Sequence, residues 1–180
     1  MTFFTLHELQ VKGLAGVVKA RAARPYSADA TILNERLSEF DAAKTYDIFV
    51  SHSSLDKDTV YGLKLSLEEA GFSAYVDWIE DPVDRSKVTK ANAELIRGRM
   101  RSSKSLLYAT SDNADGSKWM PWELGYFDGF RQKVAICPIT AGSSFDGREY
   151  LGLYPVMEKD LWLWKDGQIF KRLRVWIDEV

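Results

Sequence analysis

From Tyr46 onward, short apolar runs alternate with amphipathic stretches of helical period, and few folds accept that alternation. "YDIFVS" (46–51), "FSAYVDW" (72–78), "SLLYAT" (105–110) and "KVAICPI" (133–139) are of strand length and bounded by polar or turn-forming residues. Between the first two, Val60, Leu63, Leu67 and Ala70 recur at helical spacing and Gly71 supplies a stop. A basic amphipathic helix from about Val88 to Arg101 would turn Val88, Ala91, Leu95, Ile96 and Met100 inward, and another helix begins near Ser117. Parallel strands need such crossover helices. The pattern therefore predicts an α/β fold with a central, mostly parallel five-stranded sheet flanked by helices. "LWLW" (161–164) is the expected short last strand, and "QIFKRLRVWIDEV" (168–180) the expected closing helix.

Residues 1–44 differ in character. Leu6, Leu9, Gly13 and Val17, then Ile32, Leu33, Leu37 and Phe40, suggest two helices broken around Pro25, the second capped by Ser27. The chain is thus read as an N-terminal helical extension (1–44) followed by one α/β domain (45–180). At 180 residues, with 46% hydrophobic and 13% aromatic, it has ample material for a packed core. The formal net charge of -2 gives no global pull toward nucleic acid or an anionic membrane, so an anion must be bound locally. Cys137 is the single cysteine and lies in an apolar run, which excludes an internal disulfide and points to a reducing compartment. His7 and His52 stand too far apart to give metal-ligand spacing with it, and neither a metal nor a cofactor is expected. No apolar stretch approaches the roughly 20 residues of a membrane span. Charges scattered through the first 24 residues do not suit a signal peptide, and a cytoplasmic protein without membrane or nucleic-acid partners is expected.

In an open parallel sheet, ligands bind beyond the carboxyl ends of the strands. After the first strand come Ser51, His52 and Ser53, hydroxyls and backbone donors leading into a helix N-terminus that can hold a phosphate. After the second come Asp77 and Trp78, and after the third a turn-rich loop feeds Trp119 and Glu123. Together they describe a nucleotide pocket. "SKWMPWELGYF" (117–127) sets Trp119, Glu123 and Phe127 on one stripe of a helix, while Trp122, Tyr126 and Phe130 form another. Aromatic stripes are usually core, which would bury Trp122, Tyr126 and Phe130 and turn Glu123 to water. An exposed Trp beside an acid would instead be a pocket wall.

Several chemistries of this architecture lack their signatures. No G-x-G-x-x-G follows the first strand, no Walker lysine loop is present, and no nucleophile elbow occurs. Thr110 stands where a receiver domain would carry its phospho-accepting Asp. A reaction that needs one carboxylate remains. Cleaving the ribosyl bond of NAD expels neutral nicotinamide, so no general acid is required, unlike ordinary glycoside hydrolysis. One acid can orient the ribose and offset the positive charge of an oxocarbenium-like transition state, and a Trp can stack the pyridinium.

Residues 46 to about 180 resemble a Toll/interleukin-1 receptor (TIR) domain. "YDIFVSHSS" is similar to the family's first box, "GFSAYVDW" to its second strand, and "SKWMPWEL" to the W-x-x-x-E helix start that bears the catalytic glutamate in enzymatic members. The resemblance implies a flavodoxin-like fold, Glu123 as the catalytic acid, Trp119 as a pocket wall, and His52, Ser53 and Asp77 lining an NAD site; Ser51 and Trp78 are candidates from their place at the strand ends alone. His52 stands where an aromatic is common, and "DWIEDPVDRSK" lacks the arginine and glycine usual in the loop after Asp77. A small TIR protein with a helical N-terminal extension resembles components of Thoeris anti-phage defence. That implies NAD as substrate, an ADP-ribose-derived and cyclic product, a homo-oligomer, and a separate effector protein activated by the product. Two alternatives are a non-catalytic TIR interaction module, which has no need of an acid facing Trp119, and a nucleoside deoxyribosyltransferase-like enzyme, for which the hydroxyl-rich first loop is less suited.

Overall fold

The structure, a computed structural model, describes residues 1–22, 44–81, 89–140 and 149–179. The expected second N-terminal helix, the residues from Pro82 to Val88 and the Gly/Ser loop 141–148 lie outside the described residues.

Strands β2 (Tyr46–Ser51), β4 (Ser103–Thr110) and β5 (Val134–Thr140) are central and covered on both faces, which is why they read as nearly unbroken apolar runs. With β3 (Ala74–Tyr75) and β6 (Val156–Met157) they form a parallel sheet in the order β3-β2-β4-β5-β6. The chain leaves β2 toward one edge and returns to β4 on the other side, so the topological switch point lies between these two strands. Among the described residues the sheet is eight-stranded, because β1 (Phe4–Thr5) adds in parallel to β5, and β7 (Trp162–Lys165) and β8 (Gln168–Arg172) continue it in antiparallel fashion beyond β6.

One helical face carries α1 (Leu6–Ala22), α2 (Lys57–Glu69) and the short closing helix α6 (Leu173–Asp178). Val60, Leu63 and Leu67 of α2 pack with Leu9, Ile48, Val50, Leu107 and Trp176. Gly71, at φ 84°, ends the stretch as expected. Helices α1 and α2 cross in backbone contact: a Cβ at Gly62 would fall 1.9 Å from the Leu9 carbonyl oxygen. A helical turn after β3, α3 (Asp77–Glu80), packs Trp78 and Ile79 against this first cluster. The other face carries helices α4 (Lys90–Arg101) and α5 (Trp119–Arg131), with Phe49, Ile96, Met100, Leu106, Tyr108, Met120 and Phe127 in the second cluster.

Two expectations are corrected. Residues 168–172 form β8 rather than the start of a helix, because Asp166 (φ 51°) and Gly167 (φ 75°) make a two-residue turn that returns the chain onto β7, with Lys165 opposite Gln168. Asp-Gly is the standard sequence for such a turn. The second strand covers only Ala74–Tyr75 of the expected 72–78, since Asp77 already begins α3.

Candidate active site

Helix α5 starts where Ser117 Oγ accepts a hydrogen bond from the Met120 N–H, with Pro121 in the first turn where its missing donor costs nothing. Its inward face is Trp119, Met120, Glu123, Leu124 and Phe127. The commoner arrangement is thus reversed: Glu123 has 0% exposure, whereas Phe130 is 43% exposed and Trp122 and Tyr126 are half-buried. The outer rings are covered differently. Trp122 stacks on Tyr126 at 5.9 Å, and the Arg97 guanidinium of α4 lies over both, 5.3 and 5.7 Å from their centroids.

Glu123 meets the end of β2. Ser51 Oγ donates to Glu123 Oε2 at 2.6 Å, and neither residue is exposed. This pair sits at the switch point between β2 and β4, where the topology places ligands. Trp119, one turn before Glu123, is buried at 6% and meets Trp122 edge to face at 5.4 Å.

A second pair lies at the ends of β2 and β3. His52 Nδ1 donates to the Val50 carbonyl at 2.9 Å, and Nε2 stands 3.3 Å from Asp77 Oδ1. Asp77 Oδ1 also accepts from the Trp78 N–H at 2.7 Å. The Trp78 ring packs instead toward α2, 6.3 Å from Tyr61 and 5.8 Å from Lys57 Nζ. Ser53 is buried in a tight turn, its carbonyl accepting from the Asp56 N–H.

Two polar clusters around these residues escaped the sequence reading. Asp56, 5% exposed, accepts from Ser111 Oγ and from Asn113 Nδ2 at 2.6 Å. It ties the loop that follows Ser51 to the loop that leads into α5. Its carboxylate also stands at the N-terminus of α2, where the sequence suggested a phosphate. Below Asp77, Asp81 takes two hydrogen bonds from Arg99 (2.7 and 2.9 Å) and one from Tyr75 Oη (2.9 Å). Burial, then the charges of Asp81 and Asp77, push the Tyr75 phenol far above its ordinary range, so it stays a donor. In one dimension these partners are 55, 18 and 6 residues apart, too far for a local pattern to announce them.

Beyond the carboxyl end of β4, a cavity of about 400 Å³ is lined by Tyr108 and Thr110, by Ala114 and Asp115 of the following turn, by Pro121 of α5, and by Tyr150 and Leu151. None of the candidate site residues Ser51, His52, Ser53, Asp77, Trp78, Trp119 and Glu123 lines it. Among the described residues no group of His, Cys, Asp and Glu is arranged to hold a metal ion, and no helix is long and apolar enough to cross a membrane. Burial raises the Cys137 thiol far above its ordinary range, which disfavours the nucleophilic thiolate.

The chain is 44% identical over 192 aligned positions, covering 99% of it and 100% of the relative, to a Bacillus cereus (strain MSX-D12) protein named "Probable 3' cyclic ADP-D-ribose synthase ThsB'". Over 85 residues, 46% of this chain and 22% of the relative, it is 29% identical to a Cytobacillus dafuensis protein named "Putative cyclic ADP-D-ribose synthase TIR2". Among solved structures, the TIR domain of the Toll-related receptor TRR-2 of Hydra magnipapillata aligns with a TM-score of 0.44 and 21% identity over 59% of this chain and 77% of that one. No protein-family model matches.

Proposed function

This chain belongs to the family of the ThsB' cyclic ADP-ribose synthases, bacterial TIR proteins of the Thoeris kind, and on that footing we propose that it consumes NAD and makes a cyclic ADP-ribose signal, with Glu123 as its catalytic carboxylate. The observation that carries the assignment of Glu123 is its hydrogen bond from Ser51 at the switch point of the sheet.

The bond between the ribose C1 and the nicotinamide nitrogen breaks with its electron pair going to the departing ring, which leaves neutral. Glu123, oriented by Ser51, accepts hydrogen bonds from the ribose hydroxyls and sets its charge against the cation developing at C1. A hydroxyl of the same molecule then bonds to that carbon and loses its proton, closing the ring. Water in its place would give linear ADP-ribose, so exclusion of water selects the product. Trp119 walls the site from α5, while Ser51, His52, Ser53 and Asp77 border it at the ends of β2 and β3. Trp78 has no place in this scheme, because its ring packs toward α2.

A carboxylate without exposure must be uncovered before a ribose reaches it. We assign that opening to assembly of several copies, and the product to the activation of a separate effector protein in the cytoplasm. No cofactor enters the scheme.

The test is NAD consumption by concentrated protein, wild type and Glu123→Gln side by side, with products resolved by mass spectrometry. Loss of NAD in the wild type alone, with a product at the mass of ADP-ribose less water, is the expected result. ADP-ribose alone would make the protein a hydrolase. Absence of turnover in both, with phage-infected lysate added as a trigger, would favour the interaction-module reading.

A further inference from the structure

The reacting ribose must meet Glu123, yet NAD is far larger than the space around one buried carboxylate. Tyr108 links the two places where substrate could lie. It lines the cavity beyond β4, and its register partner on β2 is Ser51, so both side chains leave the sheet on the same face. Adjacent strands lie about 4.8 Å apart. The cavity wall at Tyr108 is therefore about one strand width from Ser51, the donor to Glu123, within the span of an extended dinucleotide.

We infer that this cavity is the nucleoside subsite, receiving the adenosine end of NAD while the nicotinamide ribose is presented to Glu123. The inference rests on the NAD-cleaving reading above. Its volume of about 400 Å³ falls in the usual range for small-molecule pockets. Pro121, Leu151 and the Tyr150 ring offer apolar and aromatic surface to a purine, and Thr110 and Asp115 offer hydrogen-bonding groups to its amine and to the ribose hydroxyls. No Lys or Arg is among the described lining residues, and Asp115 is an acid. Such a lining suits an uncharged nucleoside and disfavours a phosphate.

The walls are also held in place. Ser111 and Asn113, which precede the lining residues Ala114 and Asp115, are the two donors to Asp56, and the Ala114 N–H donates to the Ser111 carbonyl at 3.0 Å. The turn that shapes the cavity is thereby tied to the loop that follows Ser51. A nucleoside kept so near the reacting carbon has its own hydroxyls within reach as the internal nucleophile.

The experiment is a calorimetric titration of adenosine into the full chain as wild type, Glu123→Gln, Tyr150→Ala and Asp115→Ala. Tyr150 is 42% exposed and Asp115 lies on an exposed turn, so neither substitution opens the core. Wild type and Glu123→Gln are expected to bind alike, and each cavity variant to bind about tenfold more weakly with a similar rise in the KM for NAD. Thr110→Trp, which fills the cavity, should abolish binding. The proposal is overturned if wild type does not bind adenosine, or if the cavity variants bind it as wild type does. Absence of NAD turnover in the wild type would sink the catalytic reading separately, while the titration still reports on the cavity.

Discussion

Replacing Ser51 by Ala removes one hydroxyl, and the structure says where the loss lands. The Ser51 Oγ to Glu123 Oε2 bond is 2.6 Å long and both residues are fully buried. Water cannot readily replace the lost donor at a site without exposure. Leaving a buried carboxylate short of a donor costs about 1–3 kcal/mol. If that energy holds the carboxylate for the ribose, turnover falls roughly 5- to 150-fold, at 1.36 kcal/mol per factor of ten. The same loss appears in the fold as a lower melting temperature, by about 2–4 °C per kcal/mol for a chain of this size. Two measurements are needed: NAD loss at saturating substrate, and thermal unfolding. The decisive comparison is with Glu123→Gln, which alone should slow turnover by about 10²–10³. Because Ser51 acts through Glu123, the double variant should be no slower than Glu123→Gln. A Ser51→Ala protein turning over within twofold of wild type, or losses that multiply in the double variant, would refute this reasoning.

Asp56→Ala removes the acceptor for Ser111 and Asn113, and should destabilise by about 1.5–3 kcal/mol and slow NAD cleavage, with Asp56→Asn recovering part of both; urea unfolding and steady-state kinetics decide. Gly62→Ala sets a methyl 1.9 Å from the Leu9 carbonyl oxygen and must push α1 off α2, costing about 1–3 kcal/mol, so an unchanged melting temperature would contradict the observed crossing. Glu80 is raised by burial, but hydrogen bonds from Lys44 and Lys64 outweigh this and hold it below its ordinary value of 4.5. Its stabilisation is present above that value and lost as the pH falls through the depressed one. Asp47, held low by Lys104 and the Ser73 N–H against burial, acts with the same sign. Stability should therefore be level above about pH 5 and fall below it, and Glu80→Gln should flatten the fall in a series of melts against pH.

Much of the parallel core could be read locally, because a strand covered on both faces must be apolar throughout and a helix on a sheet must repeat every three or four residues. Gly71 as a helix stop and Pro121 in a first turn were equally legible, since each reflects the backbone of its own few residues. Strand β8 was in principle legible too: Asp166-Gly167 is a hairpin turn, but the apolar and basic residues after it also suit a helix and masked the signal. Strand β1 offers two residues, too few for any period.

The sequence by itself determined that this is an α/β chain with a first loop of serines and a helix bearing an acid among tryptophans. It left open which stripe of that helix turns inward, because Trp119-Glu123-Phe127 and Trp122-Tyr126-Phe130 repeat with the same period. Only the tertiary structure decided it, by bringing the Ser51 hydroxyl to Glu123 across 72 residues and the Arg97 guanidinium over the outer rings. The physical reason is range. Period and turn chemistry act over a few residues, whereas burial of a charge requires a donor whose position depends on strand order and register.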